Sequence, residues 1–120
     1  MSGLEPQLHE GEYAFVSLGP DASWDGLEPV ATVLEPEGWT LVVPREQAAA
    51  RGIEPLWQGA WITLAATTSL DSVGLTARFA QALALEGIAC NVVAGAFHDH
   101  LFVPRERAAA ALAVLRTLAS

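Results

Sequence analysis

Apolar and polar residues along this chain change their period several times, and each change predicts an element. "EYAFVSL" (residues 12–18) and "AWITLAAT" (residues 60–67) are short apolar runs with aromatic and β-branched side chains, as buried strands are. After the second run the period lengthens. Leu75, Phe79 and Leu83 recur at i, i+4 and i+8, and Val73, Ala77, Ala80 and Ala84 widen the stripe into the apolar face of a helix. Thr68 and Ser69 offer caps for its start, and "TSLD" places an acid three residues after a hydroxyl. Gly87 followed by Ile88 fits a Schellman ending, glycine in the left-handed position and an apolar residue after it. "IACNVVAGAF" then reads as a strand, and "GAFHD" as its hairpin into a final strand and helix.

The same pattern occurs twice. "TLVVPREQAAA" (residues 40–50) returns as "HLFVPRERAAA" (residues 100–110), half the chain further on. Each copy is a strand stopped by a proline, which has no N–H for a ladder but a φ suited to a helix start. Glu46 and Glu106 follow near the positive end of the helix dipole. Identity across "PRE-x-AAA" points to duplication, with halves at residues 1–59 and 60–120. The second half reads β-α-β-β-α. The first reads β-β-β-α, with the polar "GPDASWDG" in place of the first helix. A βαββαβ ferredoxin-like unit needs one strand more than the second half supplies, so the N-terminal or the central strand is expected to fill that slot. The fold class is α+β, with two repeats sharing an antiparallel sheet and helices on one face. A sheet edge left open is a liability that small proteins cover, which predicts a symmetric homodimer.

Composition narrows the functional classes. With 120 residues, 52% of them hydrophobic, disorder is not expected. No apolar run approaches the roughly 18 residues of a membrane span. The acidic start, "MSGLEPQLHEGE", lacks the basic and apolar regions of a signal peptide. A net charge of −8 and six scattered arginines oppose phosphate backbones, so no nucleic acid is expected as partner. Cys90 is the sole cysteine, which excludes an internal disulfide and fits the cytoplasm; it reads as a small buried hydrophobe. Trp24, Trp39, Trp57 and Trp61 are many for this length, and some are expected to cover an edge or a subunit contact.

Two groups of residues invite chemistry. His98, Asp99 and His100 alternate along a strand, which puts the imidazoles on one face and the carboxylate on the other. Two imidazoles at i and i+2 can share a metal ion, but a closed zinc site needs further ligands, so neither metal nor cofactor is expected. The plain alternative is a hairpin turn held by Asp99 and His98, and between these lies a polar pocket edge facing a ligand ammonium. Ser69, Asp71 and Ser72 sit at the helix start. They lack the strained elbow of a hydrolase, and capping is the simpler role; a helix start also offers N–H groups to a carboxylate. Asn91, in a strand suited to burial, either bridges backbone groups or reaches a ligand. Glu35 and Glu37 flank Pro36 in a solvated turn.

"LEPEGWTLVVP", "WITLAATTSLDSVGLTARFAQALALEGIACNVVAGAFHDHLFVP" and the Ala-rich last helix resemble bacterial tandem ACT-domain proteins, from about Glu12 onward. The chain is similar also to the ACT modules of animal cytosolic arginine sensors. The resemblance implies tandem ACT-like folds and a non-catalytic regulatory module that binds a free amino acid. The helix start and the hairpin together suggest a ligand between Thr68, Ser69, Leu70, Asp71, Val73 and Gly74 on one side and His98 and Asp99 on the other, a placement the resemblance favours at the hairpin, with Asn91 as a further candidate. The alternatives are a partner-binding domain with a vestigial pocket and a small hydrolase.

Overall fold

The computed structural model describes residues 5–65 and 73–118. Seven strands and three α-helices follow one another as β1 (Pro6–Leu8), β2 (Tyr13–Leu18), β3 (Ala31–Glu35), β4 (Gly38–Pro44), α1 (Arg45–Ala50), β5 (Trp57–Leu64), α2 (Leu75–Leu85), β6 (Asn91–Ala94), β7 (Asp99–Val103) and α3 (Ala108–Leu118). They form two compact units, residues 11–59 and residues 1–10 with 60–120. Strand β5 belongs to both, with Trp57–Gly59 paired to β2 in the first unit and its remainder paired in the second.

In the unit of residues 11–59, β4 lies between β2 and β3, all antiparallel. Alternation sends Ala14, Val16, Leu41 and Val43 to one face, where they bury with Ala48 of α1. The expected β-β-β-α order is observed. The turn-rich segment that stands where the sister unit has a helix supplies core as well. Leu27 is buried in it, and Trp24 packs edge-on against Trp39 with ring centroids 4.8 Å apart. Helix α1 pins this loop: Arg51 donates from Nη1 to the Asp25 carbonyl at 2.6 Å, and Gln47 Oε1 accepts from the Glu28 N–H at 2.7 Å.

The second unit orders its strands β1-β5-β7-β6, all antiparallel. Strand β1 occupies the position of the fourth strand of a ferredoxin-like unit, with Pro6, Gln7 and Leu8 opposite Leu64, Thr63 and Ile62. The slot is thus filled within the chain, and the open position from which a dimer was inferred is closed. Ala60, Ile62, Leu64, Leu101 and Val103 bury against Phe79 and Leu83 of α2 and Ala111 and Leu115 of α3. Ala108 is buried as its repeat counterpart Ala48 is, and Pro44 and Pro104 share nearly one conformation, φ −53° and −54°.

Helix α2 ends as predicted. Ile88 N–H donates to the Leu83 carbonyl and Gly87 N–H to that of Ala84, with Gly87 at φ 71° and Ile88 buried. Its start differs. Leu75 is the first helical residue, and Gly74 is the N-cap in a left-handed conformation rather than part of the first turn. Val73 therefore lies outside the helix and is fully exposed instead of widening the apolar face; Ala77 and Ala84 are exposed too. The physical reason is register: Phe79 and Leu83 alone point at the sheet, with Leu75 and Ala80 at the margin. The expected caps Thr68 and Ser69 lie outside the described residues.

Candidate functional site

Strand β7 starts beside the end of β5, because Thr63 pairs with His100. Gly95 N–H donates to the His98 carbonyl at 2.9 Å and closes the hairpin between β6 and β7. The alternation holds: Asp99 shares the helix-covered face with Leu101 and Val103 and is 7% exposed, whereas His100 stands on the other face. His98 lies just before the strand, and its Nδ1 is buried with no hydrogen-bond partner among the described residues. A buried polar atom without a partner is costly, which makes this nitrogen the point of interest at the hairpin. At the start of α2, Arg78 N–H reaches the Gly74 carbonyl, so the N–H groups of Leu75, Thr76 and Ala77 have no carbonyl within the helix. No acidic residue stands in that first turn, and no side chain among the described residues caps it.

Not all expected site residues gather here. Thr68, Ser69, Leu70 and Asp71 lie outside the described residues. Asn91 is exposed, not buried as its apolar surroundings suggested, because β6 is paired only with β7 among the described strands. Its register partner is Phe102, which puts it on the face opposite Asp99 and at the other end of the strand. Cys90 precedes β6 and is half-buried against the helix-side core; burial pushes its thiol up to about 11, which keeps it protonated and unreactive. Among the described residues no three His, Cys, Asp or Glu side chains stand close enough to hold a metal ion.

The helix-free face of the same unit carries a cluster that sequence reading missed. His9, just after β1, stacks on Trp61 of β5 with ring centroids 3.5 Å apart and planes within 8°. Its Nε2 lies 2.7 Å from Thr63 Oγ1, and that oxygen is 3.1 Å from His100 Nδ1. Trp61 Nε1–H donates to the same His100 nitrogen at 3.2 Å. Burial first, then a neighbouring imidazole (His100 for His9, His98 for His100), holds both rings below the usual histidine range, while Asp99 opposes this at His100. Separations of 37 to 54 residues leave no local motif that could have revealed it.

Each unit packs helices on one face of an antiparallel sheet, an α+β ferredoxin-like arrangement. Models of the ACT domain match residues 1–57 and residues 58–117, so the chain belongs to the ACT-domain family and carries two such domains in tandem. It is similar over 96% of its length, at 43% identity and TM-score 0.86, to a Vibrio cholerae protein of unknown function called a possible transport protein, covering 88% of that chain. Its fold also matches aspartokinase alpha and beta subunits (15% identity, 97% and 96% of the two chains, TM-score 0.68). The regulatory subunit of aspartate kinase from Thermus thermophilus, in its ligand-free form, matches at 14% identity, 96% and 95% coverage and TM-score 0.67. No curated protein matches the chain.

Proposed function

We propose that this protein is a non-catalytic regulatory module of the cytoplasm that binds a free amino acid at the end of the sheet where β7 begins. The observations that carry the reading are the buried Asp99 and, one residue before it in the chain, the buried Nδ1 of His98, which has no hydrogen-bond partner among the described residues. Asp99 takes the ligand ammonium, and His98 Nδ1 completes its hydrogen bonding with the ligand. The ligand carboxylate faces the Leu75, Thr76 and Ala77 N–H groups, which have no carbonyl within α2. Membership of the ACT family and likeness in fold to an aspartate kinase regulatory subunit support a regulatory role. No helix among the described residues is long and apolar enough to cross a membrane.

The test is a thermal-shift screen of the twenty amino acids followed by calorimetry on Asp99→Asn. A charge-assisted hydrogen bond shielded from water contributes about 1.5–3 kcal/mol, so the variant binds roughly ten- to a hundredfold more weakly while keeping its fold. Unchanged affinity removes Asp99 from the site, and turnover of any ligand overturns the non-catalytic reading. The module is further proposed to work as a symmetric homodimer through an outer strand, since β3 pairs only with β4 among the described strands and exposes Val33 and Leu34. A monomer by light scattering at high micromolar concentration refutes it.

A further inference from the structure

We propose that His9 and His100 form an acid-released latch that holds the N-terminal strand β1 on the sheet of its unit. The geometry rests on one acceptor. His100 Nδ1 receives the Trp61 indole N–H, so it carries a lone pair and no proton. Thr63 stands within hydrogen-bond distance of that same nitrogen and of His9 Nε2. The arrangement that gives every contact a donor and an acceptor runs in one direction: His9 Nε2–H donates to Thr63 Oγ1, and the Thr63 O–H and Trp61 N–H share the single lone pair of His100 Nδ1. A proton on His100 Nδ1 sets donor against donor at the Trp61 contact and reverses the Thr63 contact, where the hydroxyl oxygen must then accept. A second proton on His9 adds a like charge a few atoms away.

What the relay holds is specific. Strand β1 is three residues long, and its side chains Gln7 and Leu8 are exposed, so little apolar burial retains it. Its flanks are tied by the Ala65 N–H on the Glu5 carbonyl and the His9 N–H on the Trp61 carbonyl. The His9 ring clamps the second of these through its stack on Trp61 and its bond to Thr63, which is itself 8% exposed. Strands β1, β5 and β6 contain no ionisable side chain. The charged or titratable groups that bear on the pair are therefore His100 at His9, and His98 and Asp99 at His100, with Asp99 on the opposite face. Since both imidazoles lie below the usual histidine range when docked, the undocked strand binds more protons than the docked one. Docking is fully favoured above the ordinary value of about 6.5 and is lost as pH falls from there through the lowered values.

Backbone hydrogen exchange on the whole chain tests this, read as protection factors at about pH 7.5 and about pH 5, either side of the ordinary imidazole value. The amides of His9 and Ala65 are expected to lose protection more than about tenfold in acid, while the amides of β7 keep theirs. Thr63→Val breaks the relay without changing a titrating group, and should lower protection at His9 already at neutral pH. His9→Phe keeps the stack but removes its proton site, and should reduce the acid response by more than half. Equal loss at β7 would mean that acid unfolds the whole unit, which overturns the latch. An undiminished response in His9→Phe combined with His100→Gln assigns the titration elsewhere and overturns it as well.

Discussion

Gly38 opens β4 at φ 139°, and a Cβ placed there would run into the carbonyl oxygen of Leu18. Only glycine fits both the dihedral and the approach, so Gly38→Ala is expected to destabilise the chain by about 1–3 kcal/mol, read from urea unfolding followed by tryptophan fluorescence. Sequence shows "EPEG" as a turn but not which neighbour crowds the glycine, since Leu18 comes from a strand two elements away. The same distinction separates the histidines. His98 and Asp99 are adjacent and could be singled out from alternation alone. His9 could not, because its value lies in the Trp61 ring beneath it.

The ending of α2 was legible from the sequence. The Gly87–Ile88 pair specifies its own local hydrogen bonds, and Gly87→Ala, which meets no steric contact, should cost only the left-handed penalty of about 1–2 kcal/mol. An equal result from Gly11→Ala, a turn glycine at φ 84° outside any helix end, would show that the Schellman bonds add nothing beyond the dihedral. The loop of residues 19–30 was legible only as polar. Its role as a substitute for a helix depends on Trp24 and Leu27 reaching the core that a helix covers in the sister unit. Trp24→Ala therefore removes half-buried aromatic area and an edge contact, and is expected to lower stability by about 2–3 kcal/mol in chemical denaturation. A loss below about half a kcal/mol would make the loop mere connection.

For the molecule as a whole, the two repeats differ in how they complete their sheets. The unit of residues 60–120 takes its last strand from the opposite end of the chain. Removing residues 1–8 should leave the 62–64 segment of β5 without a partner on that side, lowering Tm by more than about 5 °C and promoting self-association on dilution-sensitive light scattering. An unchanged Tm would show that β1 contributes pairing without stability.

Local chemistry was determined by the sequence itself: the strand and helix periods, the prolines at Pro44 and Pro104, the Gly87 cap, and the duplication that makes two ACT domains. These depend on neighbours within a few residues, where covalent geometry and side-chain alternation act directly. Tertiary structure decided what depends on strand pairing. It chose β1 for the vacant slot, started α2 at Leu75, turned Asn91 outward on the face opposite Asp99, and brought His9 onto Trp61 and Thr63. Each of these follows from register between strands distant in sequence, and shifting a register by one residue would exchange the faces on which Asp99 and His100 stand.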